Sequence, residues 1–141
     1  MTDLISKLKY EHNILIDALE NIKKLGINSQ EAQNKLLSVK TLLLNHLKKE
    51  DTELYIVLRK EAETNYELLK ILDLFAKDME EISKFAFLFF SKYFHGDTTN
   101  SFSDDFDKLF TAIEVRIKKE ENVLFSEYLK IINNTTIKLK E

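Results

Sequence analysis

Cysteine, proline and tryptophan are absent from the 141 residues, which include only two glycines and three histidines. The missing cysteines exclude disulfides, thiolate metal sites and cysteine nucleophiles, and they leave the redox compartment open. Without proline, and with so little glycine, almost nothing interrupts a helix. The longest wholly apolar run, Phe85–Phe90, is far too short to cross a bilayer, so no membrane partner is expected. An excess of one charge is also lacking. The 21 Lys and Arg against 24 Asp and Glu leave a formal charge of −3, which offers no field for nucleic acid. The opening Met1-Thr2-Asp3-Leu4 lacks the basic segment of a signal peptide, so a cytoplasmic location is expected. Three histidines set a low ceiling on imidazole ligation.

What the chain does contain is helical pattern. Apolar residues make up 44% and charged residues 32%, proportions of one globular domain with a real core. Gly26 follows Lys23-Lys24-Leu25, a helix C-terminal signature. Asn28-Ser29-Gln30-Glu31 restarts a helix, and Thr64-Asn65-Tyr66-Glu67 has capping-box spacing. Gly96 opens a polar loop that runs to Ser103, where Ser103-Asp104-Asp105 caps the last helix. The predicted helices are 3–25, 29–61, 65–94 and 103–132. A frayed tail over 133–141 follows the 1–132 domain. Helices of that size are roughly 35 to 50 Å long at 1.5 Å per residue. Short connections from the first helix to the second and from the second to the third give an all-α, up-down-up-down antiparallel four-helix bundle, as monomer or homodimer.

Each helix carries one stripe at three- and four-residue spacing. The second stripe is expected to run Leu36, Val39, Leu43, His46, Glu50, Leu54, Val57, and the third to include Phe75, Met79, Ile82 and Phe89. Five polar residues interrupt these inward faces: His12, His46, Glu50, Arg116 and Glu120. Charged groups are rarely buried unless paired or metal-bound. His46-Leu-Lys-Lys-Glu50 puts an imidazole and a carboxylate one turn apart on one face. Arg116-Ile-Lys-Lys-Glu120 repeats the spacing, and the stretches that follow both pairs align. His12 aligns more weakly with Met79 at a similar separation. Two related hairpins are implied, one with a His/His pair and the other with Met/Arg.

With Glu11-His12, His46-x-x-x-Glu50 and Glu120-Glu121-x-x-Leu124-Phe125 in place, the chain resembles the hemerythrin-like (HHE cation-binding) family over roughly residues 5–130. The resemblance implies a non-heme iron protein that binds dioxygen, senses oxygen or nitric oxide, or handles iron under oxidative stress. It places His12, His46, Glu50 and Glu120 at ligand positions. Where the family would supply two further histidines, this chain has Met79 and Arg116. A thioether suits a hard iron ion poorly, and a guanidinium cannot coordinate at all. One ion per chain is therefore expected, with Arg116 forking onto Glu50 or Glu120 in place of a second. Iron is the first expectation, and manganese or zinc would also suit two nitrogens and two or more oxygens.

The competing expectation is a metal-free bundle that serves as a structural or interaction module. In it, His12 and His46 would bond to Glu120 and Glu50 across a Glu50–Arg116–Glu120 network. An enzyme doing oxidative chemistry at a single iron with an open coordination position is a third reading, less favoured because no feature names a substrate for it. His95 reads as a solvated cap beside Gly96. Phe85–Phe90 reads as packing under the 95–103 loop, and Tyr10, Tyr55 and Tyr66 are candidates to approach the pocket. Lys48-Lys49 and Lys118-Lys119 read as solvated surface.

Overall fold

The computed structural model of the chain describes residues 3–26, 30–94 and 102–140. Four helical rods build it, and no strand occurs among those residues. The first rod is α1, Asp3–Leu25. The second is α2, Gln30–Lys49, continuing through a wide turn at Glu50–Leu54 into α3, Tyr55–Ala62. The third is α4, Tyr66–Phe94. The fourth is α5, Phe102–Lys119, continuing through a wide turn at Glu120–Leu124 into α6, Phe125–Lys140. Successive rods are neighbours, and the fourth returns to α1, so the antiparallel bundle closes. Between α2 and α4 the approach is sparse. No helix among the described residues is long and apolar enough to cross a membrane.

The ends follow the local chemistry with small departures. Gly26 adopts φ +73° and donates its N–H to the Ile22 carbonyl at 3.0 Å, the left-handed cap that only glycine takes without strain. At the start of α4 the capping oxygen belongs to Asn65, which accepts from the Leu68 N–H at 3.1 Å; Thr64 does not fill this role. The last helix does not fray at Asn133 but runs on to Lys140. Asn133 and Asn134 favour caps and turns only weakly against a helix already propagating. α5 begins at Phe102, one residue before Ser103. The expected Asn28-Ser29 cap, the 97–101 loop, Gly96 and His95 lie outside the described residues.

The two wide turns are the feature that the stripe pattern misses. Each closes i→i+5, with the Tyr55 N–H on the Glu50 carbonyl and the Phe125 N–H on the Glu120 carbonyl. A strict four-residue spacing drifts about 40° per step around an ordinary α-helix, which turns 100° per residue. His46, Glu50, Leu54, Leu58 and Ala62 are nevertheless all buried, as are Arg116, Glu120, Leu124 and Tyr128. A wider turn absorbs that drift and keeps the stripes aimed inward. It also corrects the expected stripe, because Leu58 is fully buried while Val57 is only half-buried. Leu58→Ala should cost about 2–4 kcal/mol by urea unfolding, and Val57→Ala about 1 kcal/mol or less. Equal costs would contradict the phase shift.

Two apolar clusters fill the bundle. One holds Leu15, Leu19, Ile22, Val39, Phe89, Phe106 and Ile113. The other holds Ile5, Leu8, Leu54, Leu58, Phe75, Leu124 and Phe125. Phe85–Phe90 is not buried all round: Phe89 and Phe90 join the first cluster, whereas Phe87 and Leu88 face outward. Between the clusters lie the five buried polar residues foreseen on the stripes, His12, His46, Glu50, Arg116 and Glu120.

Candidate metal centre

Helix geometry brings the five together. His12 comes from the middle of α1 and His46 from the last turn of α2. Glu50 and Glu120 are the first residues of the two wide turns, and Arg116 lies one turn before Glu120. The imidazole centroids of His12 and His46 stand 4.6 Å apart, and His12 stacks on Phe125 at 5.6 Å. His12, His46 and Glu120 each present a donor atom within 4.8 Å of the other two. Glu50 adds Oε1 at 3.0 Å from His46 Nε2, while Glu120 Oε2 lies 3.9 Å from His12 Nε2.

Each imidazole is held from behind. His12 Nδ1 lies 2.8 Å from Glu121 Oε2, and His46 Nδ1 lies 2.8 Å from Glu11 Oε1. A carboxylate can only accept, so both Nδ1 atoms donate and the neutral rings carry their bare lone pair on Nε2. The expected Glu120 and Glu50 lie instead on the Nε2 side of the two rings, at 3.9 and 3.0 Å. The bonds also cross: the residue before His12 orients His46, and the residue after Glu120 orients His12. Lys49 pairs with the second oxygen of Glu11, so it is not simply solvated. Carboxylates behind histidines are the usual outer shell of a metal site.

Among the described residues, four buried side-chain N or O atoms have no hydrogen-bond partner: His12 Nε2, His46 Nε2, Glu50 Oε2 and Glu120 Oε2. All four belong to the residues expected as ligands. The 3.0 Å contact between His46 Nε2 and Glu50 sets a lone pair against a carboxylate and is not aligned as a hydrogen bond. Buried polar atoms are normally satisfied. Once both carboxyls are ionised, these four atoms converge as acceptors, which a cation satisfies, and two nitrogens with carboxylate oxygens suit a divalent transition metal. The residues present fit the group.

Arg116 occupies the matching place in the other half. Its Nε donates to Glu120 Oε1 at 3.1 Å, close to the 3.0 Å between His46 and Glu50. It does not fork onto the carboxylates. Its two terminal nitrogens donate instead to the Phe75 carbonyl and the Tyr55 hydroxyl, both at 2.9 Å, and the guanidinium lies over the Phe75 ring. Of the three tyrosines considered, only Tyr55 reaches the site; Tyr10 and Tyr66 are exposed. Met79 is half-buried and is not among the gathered donors.

Burial shapes the protonation. It pushes Glu120 well above the carboxylate range, and the neighbouring Glu50 adds to the shift while Arg116 and His12 oppose it. Burial likewise raises Glu50, against Glu120 and Arg116. It lowers His12 despite Glu121 and Glu120 beside it, which favours the neutral, ligating imidazole. Burial raises the Tyr55 hydroxyl too, although Arg116 pulls the other way. Glu11 goes below the usual range: its burial is outweighed by the hydrogen bonds from Lys49 and His46.

A sequence model described as the hemerythrin HHE cation-binding domain matches residues 3–128. No curated protein and no solved structure matches the chain.

Proposed function

Because the chain belongs to the hemerythrin HHE cation-binding family, we propose that it is a non-heme iron protein with one ion per chain. In this reading His12, His46, Glu50 and Glu120 hold the ion. Arg116 stands in for a second cation, and the biological role is oxygen or nitric-oxide sensing or the handling of iron under oxidative stress. The observation that carries the reading is the convergence of four unpartnered buried atoms, one from each proposed ligand. Glu11 and Glu121 fix the imidazoles with Nε2 inward, between the two apolar clusters. A ferrous ion bound there would supply a coordination position for dioxygen or nitric oxide. The two positions without a histidine, Met79 and Arg116, support a single ion. Manganese and zinc suit the same donors.

Elemental analysis after anaerobic purification tests the stoichiometry, with one iron per chain expected. Two irons, or no metal after loading with iron, manganese or zinc, would overturn the reading. Uptake should also release protons, since the raised Glu50 and Glu120 must ionise to ligate. The apparent affinity should therefore climb with pH through the acid range. The metal-free alternative draws on the Arg116–Glu120 ion pair at 3.1 Å, which already offsets one buried charge. It predicts no uptake and no proton release.

A further inference from the structure

His46 sits between two carboxylates that compete for its ring proton. Glu11 Oε1 lies 2.8 Å from Nδ1. On the other side Glu50 Oε1 stands 3.0 Å from Nε2, misaligned as the ring lies but within reach. His12 faces no such contest. Glu121 Oε2 lies 2.8 Å from its Nδ1, while Glu120 Oε2 stays 3.9 Å from its Nε2, beyond hydrogen-bond reach. A proton on His46 Nε2 would occupy the lone pair that a metal needs. The hold of Glu11 therefore decides whether this ring can ligate.

Glu11 is poorly placed to keep that hold alone. Its side chain is 27% exposed, and a cavity of about 290 Å³ between α1 and α2 has Glu11, Asn45, His46 and Lys49 among its walls. Space of that size takes several waters, each an alternative partner for a carboxylate oxygen. Pinning a glutamate costs side-chain entropy comparable with the net gain from one hydrogen bond. Lys49, the last residue of α2, bonds to Glu11 Oε2, so two bonds offset a single entropy cost. With Oε2 engaged, Oε1 is the oxygen turned to His46.

The other hairpin supplies a comparison. Lys49 stands three residues after His46 and Glu11 one before His12; Lys119 and Asp78 stand likewise to Arg116 and Met79. Lys119 Nζ lies 3.3 Å from Asp78 Oδ2, so the pair recurs between α5 and α4. There it serves no imidazole, because Arg116 directs its donors to Glu120, Phe75 and Tyr55. Fastening two rods is thus common to both pairs. Acting on a ring is peculiar to Lys49.

We propose that Lys49 is a positioning residue for the centre: it pins the Glu11 carboxylate on His46 Nδ1 and so keeps His46 Nε2 bare for a cation. The proposal rests on the metal reading for its purpose, yet the ring proton can be followed without metal. Nitrogen-15 NMR of the metal-free chain at alkaline pH shows which ring nitrogen carries the proton. The unaltered chain should show the Nδ1–H form at both rings. Lys49→Met should raise the Nε2–H share at His46 severalfold and leave His12 unchanged, and Lys49→Arg should restore the original form. Lys119→Met removes the matching pair and should alter neither ring. The same spectra show that each variant is folded. Ferrous-ion affinity should fall severalfold in Lys49→Met and hold in Lys119→Met. An unmoved proton in Lys49→Met, an equal shift in Lys119→Met, or an affinity that ignores the shift would overturn the proposal. Absence of metal uptake by the unaltered chain would sink the iron reading and leave the ring-proton result standing.

Discussion

His46→Ala should erase a metal-dependent rise in melting temperature that the unaltered chain shows with ferrous, manganous or zinc ions. A ligand present at one hundred times its Kd stabilises the folded state by about 2.7 kcal/mol. For a chain of this size, each kcal/mol moves the midpoint by about 3–4 °C, so the expected rise is about 10 °C. His46 is the residue to remove because its Nε2 stands at the centre of the arrangement, 3.0 Å from Glu50. Its Nδ1 also ties α2 to Glu11, so the variant should start from a lower midpoint by an ordinary core defect. The diagnostic quantity is the difference with and without metal. A rise that survives in the variant, or its absence from the unaltered chain, would remove His46 from the ligand set.

Arg116→Leu should destabilise the metal-free chain by about 3–5 kcal/mol at pH 7, the usual cost of stripping one partner from a buried ion pair. The substitution leaves Glu120 without its guanidinium, and Phe75 and Tyr55 without the donor they share. The pH dependence follows from the raised pKa of Glu120. A carboxyl whose folded pKa lies above its unfolded value favours the folded state at low pH and opposes it as pH rises through the folded pKa. Removing Arg116 raises that pKa further, so the deficit should be smallest near pH 4 and should grow as pH rises through the folded pKa of Glu120. Urea midpoints across that range would measure it. A deficit of about 0.5 kcal/mol that ignores pH would mean that Arg116 neutralises nothing. The converse variant, Arg116→His with Met79→His, should take up a second ion, and unchanged stoichiometry would refute the stand-in role.

The five inward polar residues were legible in the sequence because a helical stripe reports burial directly, and a charge on it stands out. The bundle was legible for the same reason, with Gly26 marking one turn through chemistry that leaves few alternatives. The wide turns at Glu50 and Glu120 were not, since an i→i+5 closure has no composition of its own. Their trace was the run of four-residue spacings from His46 to Ala62, which an α-helix cannot keep on one face. The roles of Glu11 and Glu121 were hidden differently. Each sits beside one ligand in sequence but serves a residue on another rod, and only tertiary proximity reveals that exchange. Lys49 was misread as solvated surface, because its partner Glu11 lies across the helix pair.

The wide turns also bear on how such a chain can change over evolutionary time. Each holds one residue more than a regular helix needs, so the ligand, the turn and the stripe beyond it share a common count. Substitution at an outward position, such as Asp51 or Asn122, leaves that count intact. Loss or gain of a single residue between His46 and Ala62, or between Arg116 and Tyr128, would turn a hydrophobic stripe toward water while leaving composition almost unaltered. Lineages that keep the centre should therefore vary freely in residue type along these stretches but hold their length fixed.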